Sequence, residues 1–540
     1  MVTNPSHLGL ALLGLASQAL TAYVPRSYDV SVSIQVPTET PADASSNVDP
    51  DFPGFAFEEA SFVRYAEDDD GKPNAFSINL IKEVTSRTGG KPIIRLGGTS
   101  PDYGRYYPGQ EEPALPVAEQ DNYQNIGFTT IGPSYWDLAH NFADATYMIQ
   151  VPLATTNVSE AVAWTQAAVD RIGLSKIHSI QPGNEPDLYR DNFRGVDGVF
   201  LGPPDYQGTL SNETYVGNYT KYVDEIIKNV DVPEKSFFTA FDVAAHVENH
   251  AVAAWVLDLD TCFSLGIDKR GALKEVSHHY YQNHAGTADD LEAGLMTLSL
   301  THSNMDAMRI RINWLRENRP DLPFIINEVG NSLMVTNSYE YQNRLGSALW
   351  QVDFYLYSMA MGVARINYQQ IMHAGYSLWL PVASAGHPAQ VFPNFYSQPF
   401  VADFIGSSGE TRVTKLDITD GGASQPNLAA YAAFEAGTPR RIAVANLAYW
   451  NRTSSDAERP VVRVQLAVPE GLDTVTVYRL ASPDGAGADA TTITYGGSQW
   501  TYESLGREVK GVRDDTEDIS VRDGVATVTV PASEAVLVWL

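Results

Sequence analysis

The chain has 540 residues, 44% of them hydrophobic and 19% charged, with a formal net charge of −29. That composition describes a globular protein with one large domain and a smaller one, not a disordered chain. The negative charge argues against nucleic acid and against an anionic membrane surface as partners. It fits a soluble protein working in acid, and equally a surface charged only for solubility.

Residues 1–22 read as a secretory signal peptide. The apolar run from Leu8 to Ala16 is too short to span a bilayer, and small residues follow it, with cleavage expected after Ala19 or Ala22. No Lys or Arg precedes the run, which departs from the usual pattern. In residues 23–48 the alternation of Val30, Val32, Ile34 and Val36 predicts a strand that joins a β-sandwich formed later in the chain. Four sequons, at Asn157, Asn212, Asn218 and Asn451, agree with a secreted, N-glycosylated protein. Cys262 is the only cysteine, so no intrachain disulfide can form, and its apolar helical setting makes it a core residue. No later segment is long and apolar enough to be a transmembrane helix.

Residues 49–400 alternate strand-like and helix-like segments. The strands are expected at Gly54–Phe62, Pro92–Gly97, Thr146–Pro152, Ile177–Pro182, Ser236–Asp242, Glu275–Tyr281, Phe324–Asn327 and Ala364–Tyr368. Helical patterns cover Ala75–Thr88, Ser159–Gly173 (with Ser159 as N-cap), Tyr219–Val230, Ala251–Leu265, Leu291–Glu317 and Tyr341–Met361. Eight β-then-α units predict an α/β fold, a (β/α)8 TIM barrel. A doubly wound open sheet competes, but no glycine-rich nucleotide turn supports it. From 401 to 540 short alternating runs such as Val461–Leu466 and Ala526–Val530, separated by Gly, Pro and Asp, predict a C-terminal antiparallel β-sandwich domain.

Chemistry concentrates at two glutamates. Glu185 follows the fourth strand in Asn184-Glu185-Pro186, and Glu328 follows the apolar run of the seventh in Asn327-Glu328-Val329-Gly330. In a TIM barrel both strand ends face the active-site mouth, and two facing carboxylates are the minimal equipment for cutting a glycosidic bond. Glu185 then reads as the general acid/base and Glu328 as the ionised nucleophile. Asn184 is suited to a sugar 2-hydroxyl, and Pro186 restricts the backbone of Glu185 away from helix. Tyr281, ending His278-His279-Tyr280-Tyr281 on the sixth strand, can orient the nucleophile. The adjacent histidines point to opposite faces of a strand and cannot easily chelate one ion, so neither a metal nor a cofactor is expected.

These residues, together with Gly97-Gly98-Thr99-Ser100 and His373-Ala374-Gly375-Tyr376, resemble the clan of retaining glycosidases with acid/base on strand four and nucleophile on strand seven. Within it, the chain is most similar to glycoside hydrolase family 79, the β-glucuronidases and heparanase-like enzymes. The resemblance implies that backbone amides of Gly375 and Tyr376 hold the glucuronate carboxylate. Glu58, at the end of the first strand, is a further sugar-binding residue to consider. A tyrosine that follows the nucleophile in the family has no match at Asn331-Ser332-Leu333; Tyr339 and Tyr341 come later. The reading is a secreted, retaining exo-β-glucuronidase that releases terminal β-linked glucuronic acid, 4-O-methylated or not, from glycans. Its partner is a glucuronic-acid-containing oligo- or polysaccharide. The alternatives are an endo-acting heparanase-like glycosidase, a neutral-sugar β-glycosidase of the clan and a non-catalytic carbohydrate-binding protein.

Overall fold

The computed structural model describes residues 29–118, 129–189, 211–244, 258–283, 290–332, 338–372, 377–419, 421–455 and 457–540. The expected signal segment 1–22 and the pair Gly375-Tyr376 lie outside them. Eight parallel strands close on themselves: β1 (Pro53–Glu58), β2 (Ile93–Gly97), β3 (Thr146–Val151), β4 (Ile177–Pro182), β5 (Phe238–Val243), β6 (Leu273–Asn283), β7 (Phe324–Ser332) and β8 (Arg365–Gln370). Ile366 of β8 lies opposite Pro53 of β1 and shuts the ring. The strands are short and buried nearly throughout, as expected when helices cover the outer face and side chains fill the inner one.

The helices start where side chains can cap them. Asn74 accepts from Ser77 N ahead of Ala75–Thr88, and Gly89, with φ +70°, closes that helix in the left-handed conformation. Helix Val158–Ile172 is capped by Asn157, whose Oδ1 accepts from Glu160 N; Ser159, expected as the cap, lies inside the first turn. The first strand also ends sooner than its pattern suggested. Glu58 caps a helix, Glu59–Ala66, so Phe62 is helical and not extended. Helix Leu345–Met361 is buried at every residue except Ala360. A helix apolar on all sides must be covered on all sides, and this one packs against the barrel and against strands of the C-terminal region.

That region holds a seven-stranded sheet, including Leu428–Glu435, Thr438–Asn446, Thr474–Ala481 and Glu534–Trp539, and a three-stranded sheet. In the smaller sheet the N-terminal strand Asp29–Gln35 runs parallel to Val461–Ala467, which pairs antiparallel with Val525–Pro531. Every second residue of Val461–Ala467 is buried. Val32, Ile34, Val464 and Val528 from this sheet pack with Val444, Val477 and Val536 of the other in one apolar core. A polar contact joins the larger sheet to the barrel: Tyr431 donates at 2.6 Å to buried Asp353, whose second carboxylate oxygen is contacted at 3.0 Å by His302 of the neighbouring helix Leu298–Asn318. Among the described residues no helix is long and apolar enough to cross a membrane.

Inside the barrel the polar side chains form two layers. Near the N-terminal ends, Arg365 and Glu275 make a buried ion pair at 2.7 Å, with His178, Ser179 and Thr239 around the carboxylate. Burial pushes the Glu275 carboxyl up, but Arg365 and His178 outweigh it and hold it well below the usual range. The second layer lies toward the C-terminal ends.

Candidate active site

Arg95 anchors the second layer. It sits mid-strand in β2 with no exposed surface, on the same face as Ile93 and Gly97. A buried guanidinium must find acceptors for its N–H groups, and Arg95 finds four. Its Nε donates to Gln181 of β4 at 3.1 Å. Nη2 donates to Gln150 of β3 at 3.1 Å and to Asn184 Oδ1 at 2.6 Å, while Nη1 pairs with Glu328 Oε2. Gly97 makes room for this: a Cβ there would stand 2.6 Å from Gln150 Oε1 and 2.7 Å from the guanidinium carbon.

Glu328 on β7 is held at both oxygens. Tyr281 of β6 donates to Oε1 at 2.6 Å, and Arg95 takes Oε2. Burial drives the carboxyl up, but the charges of His279 and Arg95, with the hydrogen bonds from Tyr281 and Arg95, reverse this and hold it below the ordinary value. His279 is completely buried; its Nδ1 lies 3.1 Å from Glu185 Oε1 and 4.0 Å from Glu328 Oε2. Burial works against the imidazolium, yet Glu328 and Glu185 more than offset it, so the imidazole is shifted above its usual value. The β6–β7 register shifts between His278 and His279, a local irregularity that turns His279 into the site. His278 packs instead against Phe324.

Glu185 departs from the expected strand-end conformation. Its φ of 47° and ψ of 55° are left-handed, unusual for a residue with a Cβ. The strain is held by a hydrogen bond from its N–H to the Asp242 carbonyl at 2.8 Å, and Asp242 is itself left-handed, with φ 48°. The Asp242 carboxylate accepts from Asn327 Nδ2 at 2.6 Å, tying the end of β5 to β7. Burial raises its carboxyl despite the nearby His279 and Arg95 charges.

One oxygen of Glu185, one of Glu328 and a ring nitrogen of His279 lie within 4.8 Å of one another. That spacing could in principle hold a cation, but Arg95 and His279 already set positive charge against Glu328, and an added cation would face a guanidinium. It also puts the two carboxylates close to the ~5–5.5 Å of a double-displacement pair and short of the ~6.5–9.5 Å of a single-displacement pair.

The sequence-predicted residues divide as follows. Glu185, Glu328, Asn184 and Tyr281 converge on this mouth. Asn184 Nδ2 is buried with no partner among the described residues, a donor left over for a ligand. Glu58 is occupied locally: Oε2 accepts from Ala60 N at 2.9 Å and Oε1 from Ser100, and burial raises its carboxyl to about 7. Gly375 and Tyr376 lie outside the described residues. Arg95, Gln150, Gln181 and Asp242 were not singled out from the sequence, although a lone arginine inside an apolar strand was a visible signal, and His279 stood out only as part of His278-His279-Tyr280-Tyr281, with no role of its own.

Residues 430–537 match the glycosyl hydrolase family 79 C-terminal beta domain. Over 570 residues, 99% of each chain, the protein is 26% identical to a β-glucuronidase of Aspergillus niger. The chain is a glycoside hydrolase whose C-terminal region matches that of family 79. It is also 25% identical to a β-glucuronidase of Neurospora crassa, over 91% of this chain and 90% of that one. In fold, the glycoside hydrolase superposes on a 4-O-α-L-rhamnosyl-β-D-glucuronidase from Fusarium oxysporum with a TM-score of 0.75. That match has 19% identity and covers 94% of this chain and all of the other. A family 51 α-L-arabinofuranosidase from Bifidobacterium longum follows at a TM-score of 0.60 and 15% identity, covering 94% and 99%. The fold that carries this glycoside hydrolase is thus a barrel found in other glycosidases as well.

Proposed function

We propose that the protein is a secreted, retaining exo-β-glucuronidase that removes terminal β-linked glucuronic acid, with or without a 4-O-methyl group, from glycans. The observation that carries the mechanism is the contrast between the two carboxylates. Glu328 is pinned at both oxygens and kept anionic by Arg95, His279 and Tyr281. Glu185 meets only His279 in a side-chain hydrogen bond, at Oε1, among the described residues. That leaves Glu185 Oε2 to carry the proton for the leaving group.

In the first step Glu328 attacks the anomeric carbon, the bond to the aglycone oxygen breaks, and Glu185 protonates that oxygen. The sugar becomes an ester of Glu328. Glu185, now a carboxylate, takes a proton from water, and the water oxygen displaces Glu328 from the same carbon. Two inversions give net retention. Asn184 is assigned to the sugar 2-hydroxyl through its unpartnered Nδ2, a contact that strengthens toward the oxocarbenium-like transition state. The uronate specificity rests on the named relatives, and its carboxylate is assigned by resemblance to the amides of Gly375 and Tyr376. Secretion rests on the expected signal segment and on sequon asparagines that are all partly exposed.

A panel of aryl β-glucuronide, glucoside, xyloside and galactoside, followed by NMR of the first-formed sugar, tests this reading. Glucuronide cleavage with initial β-anomer is expected. A preference for glucoside would overturn the uronate assignment, an initial α-anomer would overturn the mechanism, and cleavage of none would leave only a binding protein.

A further inference from the structure

Asp102 lies just beyond β2, in the short helix Thr99–Tyr103, and is 1% exposed. No cation pairs with it among the described residues. Its oxygens are spent on the next two strand exits. Oδ1 accepts from Leu153 N, after β3, at 3.0 Å and from the Tyr189 hydroxyl at 3.3 Å. Oδ2 accepts from Asn184 N, after β4, at 2.9 Å. Gly183 makes the approach possible. It has φ +89°, and a Cβ there would stand 2.5 Å from the Tyr189 hydroxyl. A buried carboxylate without a counter-charge is costly, and repays that cost only through the hydrogen bonds it makes.

Asn184 is therefore gripped twice: its side-chain Oδ1 by Arg95 and its backbone N–H by Asp102. With both ends held, the direction of Nδ2 is set. We infer that Asp102 is a positioning residue which, through the backbone of Asn184, aims the amide donor at the sugar 2-hydroxyl and so sets how strongly the enzyme discriminates for that hydroxyl. The inference rests on the proposed reading, in which Asn184 Nδ2 meets the 2-hydroxyl.

Asp102→Asn keeps the shape and removes one acceptor. With the amide oxygen kept on Leu153 N and the Tyr189 hydroxyl, the new NH2 confronts the Asn184 N–H, donor against donor. The assay compares an aryl β-glucuronide with its 2-deoxy analogue in wild type, Asp102→Asn, Asn184→Ala and the double variant. The intrinsic reactivity difference between the two substrates is common to all four and cancels. In both single variants the preference for the 2-hydroxyl should shrink, by about tenfold or more, the scale of one well-aimed hydrogen bond. The double variant should shrink it no further than Asn184→Ala alone, because both act through one contact. A structural role alone would slow both substrates equally and leave the ratio at the wild-type value; that result overturns the inference, as does full additivity in the double variant. If Asp102→Asn does not fold, Tyr189→Phe, which removes one donor from the same carboxylate, must shift the ratio in the same direction, and an unchanged ratio is equally fatal. Should wild type prefer another β-glycoside, the uronate reading fails but the same ratio, measured with that glycoside and its 2-deoxy form, still decides the role of Asp102.

Discussion

Replacing Arg95 by Met tests the electrostatic core of the site. The substitution keeps the bulk of the stem and deletes the guanidinium, leaving four acceptors to be served otherwise. Gln150 Oε1 retains the N–H of Gly98 at 2.7 Å, and Gln181 Oε1 retains Asn327 Nδ2 at 3.0 Å. Asn184 Oδ1 has no second donor among the described residues, which costs about 1–3 kcal/mol for an unsatisfied buried acceptor. Glu328 keeps Tyr281 but loses its closest cation, and breaking a buried pair at one partner costs about 3–5 kcal/mol. The two losses share one guanidinium and overlap, so about 3–5 kcal/mol at neutral pH is the expected destabilisation.

The pH dependence follows from the sign of the Glu328 shift. In the wild type its carboxyl is depressed, so its stabilising contribution is present above the unfolded carboxylate value and is lost as pH falls through the lower folded value. Without Arg95 the burial effect gains ground and the folded value rises. The stability gap should be widest at neutral pH and narrow as acid protonates Glu328 in both proteins. The acid limb of kcat/KM should move to higher pH in the variant. Thermal unfolding across pH and a pH–rate profile measure both. A gap that stays constant from neutral pH into acid, or an acid limb that does not move, would refute the claim that Arg95 keeps the nucleophile ionised.

Two further outcomes bear on the roles. Glu185→Ala should lose most turnover with poor leaving groups, keep more with activated aryl leaving groups, and regain rate with azide to give a β-azide; rescue of a Glu328 variant with retained configuration instead would reverse the assignment. His279→Gln removes a cation that helps depress Glu328, so the acid limb of kcat/KM should again move upward, and any alkaline limb due to loss of the imidazolium, whose folded value is raised, should vanish; an unchanged profile would show that His279 carries no charge during turnover.

The eight apolar runs and the helical patterns between them were enough to read the barrel, because strand and helix periods depend on neighbours in the chain. The two glutamates and Tyr281 were legible for the same reason: each ends a strand, and strand ends face the mouth. Arg95 was not, because what makes it functional is supplied by Gln150, Gln181, Asn184 and Glu328, on three other strands and their exits. Strict alternation says only that His278 and His279 face opposite ways, not which one enters the site, and the register shift at His278/His279 is a tertiary feature that no local pattern carries. Glu58 shows the opposite limit. A carboxylate at a strand end can serve a ligand or cap a helix, and it was the next residue's turn into helix, not its own identity, that determined its bonds. Ser159 and Asn157 differ by two positions, and only the geometry of the first turn chose between them.

The parallel pairing of Asp29–Gln35 with Val461–Ala467 has a consequence for how the protein is made. On the ribosome the barrel can close before the strand that this early segment needs has been synthesised. Until then Asp29–Gln35 waits with open backbone donors and acceptors, a template that another nascent chain could take. The same pairing frustrates dissection. A fragment cut at the end of the barrel would carry the large sheet intact but leave the small one with two strands and a naked edge at Val461–Ala467. Such a fragment should be prone to associate with itself, and supplying the N-terminal strand as a separate peptide should suppress this by filling the gap.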